Sequence, residues 1–322
     1  MAEFMSEAGL EVDLWQIDLD EVLVHPDCSV EIEREHALGL VGTLPGAGDG
    51  HSLILNGHVD VVPPGAEDLW SYPPFGGVID QGRIYGRGSV DMKGPLLAGL
   101  YAMIALREAG IELSGTMHLQ SVVAEEDGGL GTLATILRGY RADGAIVLEP
   151  TDLVVAPAQA GCLNFRVRVP GLAAHGAVRE EGVSAFEKLF TVYAAIQQLE
   201  AERNQARAWD PLFARFQTPF AISIGTMKGG DWASSVPDHA SMEGRMGVAP
   251  GETFESARAE FEAVVAQAAA QDVWLRDHSP EVEWWGGRFL SARTPSDHPL
   301  VSTVRGAASD VTGREAPLEG VT

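Results

Sequence analysis

Basic residues are scarce in this sequence: 22 Lys and Arg stand against 46 Asp and Glu, a formal charge of −24. Nucleic acid and anionic membrane surfaces both reward Lys and Arg, so neither is expected as a partner, and small molecules or divalent cations suit the balance better. Cysteines are fewer still. Cys28 and Cys162 lie far apart, without the CxxC spacing of a zinc knuckle or the density of a disulfide framework, so a reducing cytoplasm is the expected location. No run approaches the roughly 18 apolar residues that span a bilayer. The N-terminus has no basic-then-apolar secretory pattern. Also missing is a Gly-x-Gly-x-x-Gly after a strand. Gly86-Arg-Gly88 is followed by Ser-Val-Asp91, which argues against a dinucleotide-binding enzyme.

What is present describes an ordinary globular protein with room for two domains: 322 residues, 45% apolar and 21% charged. Residues 1–9 read as the tail of a helix ended by Gly9, followed by an alternating strand at Leu10–Ile17, and a chain starting there looks clipped. Short apolar runs at Ser52–Leu55, Val78–Ile79, Arg83–Tyr85, Met117–Val123 and Ala145–Leu148 read as strands, with helices at Gly94–Ala109 and Gly131–Arg138. Strands alternating with helices predict an α/β domain with a largely parallel, mixed sheet flanked by helices, whose ligand sites lie at the carboxyl ends of the strands. The pattern changes after Gly161. Strands at Leu163–Val169, Phe220–Met227, Ala240–Val248 and Glu281–Trp285, with helices at Val183–Arg203 and Thr253–Ala270, follow the βαββαβ order of a ferredoxin-like sandwich. The expected organisation is therefore a first domain over 1–161, an inserted domain over 162–287, and a return to the first domain over 288–322. That return holds a helix at Pro299–Val311 and no closing strand.

Acids and one histidine collect at the ends of the apolar runs. His58 and Asp60 sit two apart at a strand end, where side chains share a side and Asp60 can orient a metal-bound imidazole, although a His satisfied in a turn is the simpler alternative. Asp91 lies in Gly86-Arg-Gly-Ser-Val-Asp-Met-Lys-Gly94, where a carboxylate could bridge two cations or merely cap the following helix. Capping does not explain the glycines or the flanking Arg87 and Lys93. Consecutive side chains of Glu125 and Glu126 point apart at a strand end, so one can bind metal while the other faces a water; taken alone, such a doublet is ordinary solvated surface. Glu149, after Ile-Val-Leu, must stay exposed or pair with something positive. One His and several carboxylates supply the nitrogen and oxygen ligands that zinc accepts.

His-x-Asp, Gly-Arg-Gly-x-x-Asp-Met-Lys-Gly, Glu-Glu and Glu-Pro-Thr, in this order, resemble the acetylornithine deacetylase and succinyl-diaminopimelate desuccinylase family of co-catalytic zinc aminoacylases and peptidases, which includes aminoacylase-1 and carboxypeptidase G. The resemblance runs over essentially the whole chain. It implies two Zn2+ ions, or Co2+ or Mn2+, with His58 and Glu149 on one, Glu126 on the other and Asp91 bridging. Glu125 would be the general base and Asp60 the orienter of His58. The segment Gly171-Leu-Ala-Ala-His175-Gly matches the place where similar enzymes hold a His that reaches the partner's site, which implies a homodimer through the inserted domain; otherwise His175 is a polar loop residue. Ser234 and Arg245 match a substrate-anchoring stretch, with Arg245 gripping a carboxylate through its fork of donors. Many relatives have Asn in place of Ser234 and Asp in place of Glu243, which bears on substrate more than on reaction. The implied activity is hydrolysis of an N-acyl amino acid or related small amide. The alternatives are a dipeptidase or carboxypeptidase of the same family, or a non-catalytic dimerisation module. The family's last zinc-binding His is expected beyond Thr322. His278 belongs to the inserted domain, and His298 reads as a helix cap, so a fragment of a longer enzyme is the expectation.

Overall fold

The computed structural model describes residues 1–207 and 210–322. Contacts divide the chain into two compact units, Met1–Asp152 and Leu153–Thr322. Among the described residues no helix is long and apolar enough to cross a membrane.

In the first unit α1 (Ala2–Glu7) leads to β1 (Glu11–Gln16), α2 (Leu19–Leu23), β2 (Leu38–Leu44) and β3 (Leu53–His58). The hairpin β4 (Val78–Asp80) and β5 (Arg83–Tyr85) follows, then α3 (Gly94–Glu108), β6 (Met117–Val122), α4 (Leu130–Leu137) and β7 (Gly144–Val147). The main sheet has the order β1-β2-β6-β3-β7. Its strand β3 runs parallel to both neighbours, while β2 is antiparallel to β1 and β6. The sheet is thus mixed, with its parallel half centred on β3. Pro95 in the first turn of α3 suits the helix start, where its missing N–H goes unused. Leu96, Leu100 and Met103 of α3 are fully buried and pack with Leu55 and Leu119 of the sheet. Gly99 permits this approach, since a Cβ there would lie 2.8 Å from Leu148 Cδ1. Because three parallel strands end on the same side, the residues that follow them meet there.

The second unit contains β8 (Val155–Gln159), β9 (Gly161–Pro170), β10 (Ala174–His175), α5 (Ala185–Arg207), β11 (Ile222–Gly229), β12 (Ser235–Val236), β13 (His239–Val248), α6 (Phe254–Gln271), β14 (Glu281–Phe289), β15 (Ala292–Arg293), α7 (Pro299–Thr312) and β16 (Leu318–Val321). Four antiparallel strands in the order β11-β13-β9-β14 form the ferredoxin-like sheet. Alternate residues Leu163, Phe165, Val167 and Val169 of β9 face the core with Val192 and Ile196 of α5 and Phe261 and Val265 of α6. Period-two burial leaves Asn164, Arg166 and Arg168 on the opposite face.

Two differences from the sequence reading have simple causes. The chain does form a late strand: β16 lies parallel to β8, with Val155 N–H donating to Pro317 O at 3.0 Å and Ala160 N–H to Val321 O at 2.8 Å. Four residues, Leu-Glu-Gly-Val, carry too little periodicity to show it. Strand β2 also escapes notice, because its two glycines, Gly39 and Gly42, break the apolar pattern. His298 does cap α7, its Nδ1 accepting from Leu300 N–H at 3.2 Å.

Candidate metal centre

His58 ends β3 and is 1% exposed. The buried amides of Asn56 and Gln120, joined at 2.9 Å, brace the strand just before it. The Nδ1 atom of His58 lies 3.0 Å from the backbone carbonyl of Asp60 and 3.6 Å from its Oδ1. The expected carboxylate contact is therefore replaced by a carbonyl. Asp60 falls beyond the end of the strand, where the two-residue alternation no longer holds, and its Oδ2 accepts the Glu126 N–H at 3.1 Å instead. The other ring nitrogen, Nε2, stands 3.0 Å from Asp91 Oδ1 and 3.8 Å from Glu149 Oε1.

Asp91 belongs to a turn over Ser89–Lys93 that departs from helical geometry at Asp91 and Met92 before α3 begins. Gly88 precedes it with φ +82, and a side chain there would press within 2.6 Å of Val61 and 2.7 Å of Lys93 Nζ. Glu125 and Glu126 do not continue β6, which ends at Val122, but sit in a turn entered through Ala124 at φ 59. This turn, rather than strand alternation, sends the two carboxylates apart. Glu149 follows β7, held by the Leu148 N–H to Asn56 O bond of 2.9 Å.

Two triads result. Ligand atoms of His58, Glu125 and Glu149 all lie within 4.8 Å of one another, as do those of His58, Asp91 and Glu126. Crowding shows in the protonation equilibria. Burial, then the Glu149 charge, pushes Glu125 up to about 7. Burial and Asp91 raise Glu126, and burial, opposed by His58 and aided by Asp91, raises Glu149. Burial opposes a charged His58 ring, yet the charges of Glu125 and Glu149 leave it raised. Asp60 Oδ1 is buried without a hydrogen-bond partner. Buried His58, half-buried Glu125, Glu126 and Glu149, and exposed Asp91 form an N and O donor set in which the three glutamates resist ionising together, and this fits divalent cations, which would relieve that repulsion.

One consequence concerns stability. A carboxyl whose folded value exceeds its unfolded value of about 4.3 favours folding at low pH, and the advantage is lost as pH rises through the folded value. For Glu125 that window closes at about 7. Metal-free Glu125→Gln protein is therefore expected to melt above metal-free wild type at pH 8, with the two converging toward pH 4.5. Parallel melting curves across this range would contradict it.

The remaining sequence candidates lie in the second unit. His175 ends β10 opposite Ser235, its Nδ1 accepting from Ala177 N–H at 3.1 Å and its ring 6.1 Å from that of Trp232. Ser234 is its neighbour, accepting the Gly176 N–H at 2.7 Å. Arg245 is exposed on β13 between Ser223 and Asn164. Glu243 is held by Arg166 at 2.7 Å. Sequence reading missed Arg34, whose Nη2 donates to Asp127 Oδ2 at 2.6 Å. A partner 93 residues away leaves no local signal.

The first unit thus presents a candidate metal centre on a mixed α/β sheet. The family described as peptidase family M20/M25/M40 matches residues 54–322, and the chain belongs to it. It is 30% identical over 305 residues to N-formyl-4-amino-5-aminomethyl-2-methylpyrimidine deformylase of Bacillus subtilis, covering 91% of this chain and 67% of that protein. It is also 30% identical over 265 residues to a probable succinyl-diaminopimelate desuccinylase of Staphylococcus aureus, covering 76% of this chain and 64% of the relative. The chain therefore spans about two thirds or less of the length of these curated relatives. Among solved structures, the dipeptidase Dug1p of Saccharomyces cerevisiae matches with a TM-score of 0.71 at 16% identity, over 99% of this chain and 77% of that one. YXEP of Bacillus subtilis, described as a dinuclear metal-binding peptidase, matches with 0.57 at 16% identity, over 99% and 76%. These two share the fold.

Proposed function

We propose that this chain carries the metal centre of a hydrolase that removes an acyl group from an N-acyl amino acid or related small amide. The observation that carries this is the pair of triads meeting at His58, with half-buried Glu125 in one of them pushed up to about 7. The deformylase and desuccinylase names of the relatives support removal of a small acyl group from nitrogen.

His58 and Glu149 would hold one Zn2+ and Glu126 the other, with Asp91 shared; Co2+ or Mn2+ has the same donor preferences here. When bound, such a pair supplies Lewis acidity, making water a better nucleophile and a carbonyl a better electrophile. Glu125 takes the proton of the attacking water and returns it to the departing nitrogen, a task that suits an acid titrating near neutrality. Asp60 fixes His58 through its carbonyl and Glu126 through its carboxylate. His175, exposed at the end of β10, would donate to the developing oxyanion in the site of a partner subunit, which requires a homodimer. Arg245 would grip the substrate carboxylate, with Ser234 as a further polar contact.

Arg245→Met is expected to raise KM by roughly 10- to 100-fold with kcat nearly unchanged, the scale of a lost hydrogen bond to a charged group. Steady-state kinetics on the preferred substrate decide this, and an unchanged KM would remove Arg245 from substrate binding. The reading as a whole is tested by incubating the full-length protein, loaded with Zn2+, with N-formyl, N-acetyl and N-succinyl amino acids alongside dipeptides. Release of amine from the N-acyl compounds is expected. Cleavage of dipeptides alone would replace deacylation by peptidolysis.

A further inference from the structure

We propose that Asp127 and Arg34 are positioning residues that lock the Glu125-Glu126 turn in its working shape. The inference rests on the roles given to that pair above. The turn depends on uncommon backbone geometry. Ala124 has φ 59, Gly128 φ 132 and Gly129 φ 81, so three of six consecutive residues avoid the ordinary right-handed and extended regions. Internal bonds close it, from Gly128 N–H to Glu125 O at 3.1 Å and Gly129 N–H to Ala124 O at 2.7 Å. Asp60 holds Glu126 by its N–H.

The next residue, Asp127, is 7% exposed and belongs to neither triad. Its side chain and carbonyl accept bonds from the segment 31–34. Its Oδ2 accepts from Ile32 N–H at 3.1 Å and Arg34 Nη2 at 2.6 Å, and its carbonyl accepts from Glu31 N–H at 3.1 Å. Gly128 presses so closely on Ser29 that a Cβ would lie 1.9 Å from the Ser29 carbonyl oxygen. The segment that receives the turn is itself anchored, since Cys28 and Val30 pack on a core containing Ile17, Val22, Ala37 and Ala124. Arg34 neutralises Asp127, which keeps this acid from competing for cations and turns it into a fixed post. The Glu pair is therefore held on both flanks, by Asp60 toward the metal centre and by Asp127 toward the anchored segment.

The test uses the full-length protein and the variants Arg34→Met, Arg34→Lys and Asp127→Asn. For Arg34→Met we expect kcat to fall on the order of 10²-fold, the cost of displacing a catalytic group by about 1 Å, with KM within about threefold. Co2+ titration followed by absorbance should show one of two equivalents weakened. Hydrogen exchange should quicken in 123–130 and stay unchanged in Leu53–His58. Arg34→Lys should restore most of the loss, and Asp127→Asn, which keeps the acceptor, should fall between. Wild-type kcat, Co2+ binding and exchange in Arg34→Met would overturn the proposal, as would faster exchange spread evenly over Met1–Asp152, the mark of a merely structural pair. If wild type cleaves no amide, the functional reading fails, and Co2+ binding and exchange alone decide the clamp.

Discussion

Glu125→Gln should abolish amide hydrolysis while leaving metal content unchanged. General acid–base catalysis contributes about 10²- to 10⁴-fold, and a loss in kcat of that size is expected. Gln keeps the size and burial of the side chain and cannot take a proton. In the structure Glu125 lies in a triad with His58 and Glu149, so it is placed to act either as a base or as a ligand. The two roles separate in one experiment. A base leaves two metals per chain when replaced, and a ligand does not. Elemental analysis of the purified variant beside its kcat therefore decides between them, and loss of metal together with activity would move Glu125 into the ligand set.

His58→Ala is expected to have the larger effect on metal. His58 is the only nitrogen donor in either triad and the only residue common to both. Losing a group that merely orients a ligand costs about 10- to 100-fold in metal affinity, and losing a ligand itself should cost more. Asp91, Glu126 and Glu149 would then face one another without the ring that offsets their charges. The variant should lose the equivalent of Co2+ that His58 and Glu149 would hold, at concentrations that saturate wild type, and hydrolysis should drop to background. Glu149→Ala should lose the same equivalent, and Glu126→Ala the other. A His58→Ala protein that keeps two metals would show that the centre lies elsewhere.

Most residues of the candidate centre were legible because they stand at or just past a strand end, and Asp91 because of the glycines around it. His58, Glu125, Glu126 and Glu149 stand just past apolar runs, and in a sheet with a parallel half such positions converge. How they meet was not legible. Asp60 reaches His58 with its carbonyl and Glu126 with its carboxylate because the strand has already ended, and no periodicity reports where hydrogen bonding stops. The βαββαβ order was readable from long alternating strands such as Gly161–Pro170 and His239–Val248, whereas β16, with four residues and a glycine, was not. Arg34 was invisible for a different reason. Its meaning comes from a buried acid far along the chain, and a lone Arg in a polar stretch carries no pattern.

Amide hydrolysis at this centre is expected to depend on bound metal. The most direct measurement follows N-acyl amino acid hydrolysis by the full-length protein, first after exhaustive chelation and then during stepwise return of Zn2+. Activity should vanish on chelation and return as a titration that saturates near two equivalents per chain. Hydrolysis that survives chelation, or a protein that binds two equivalents and cleaves no amide in the panel, would contradict it.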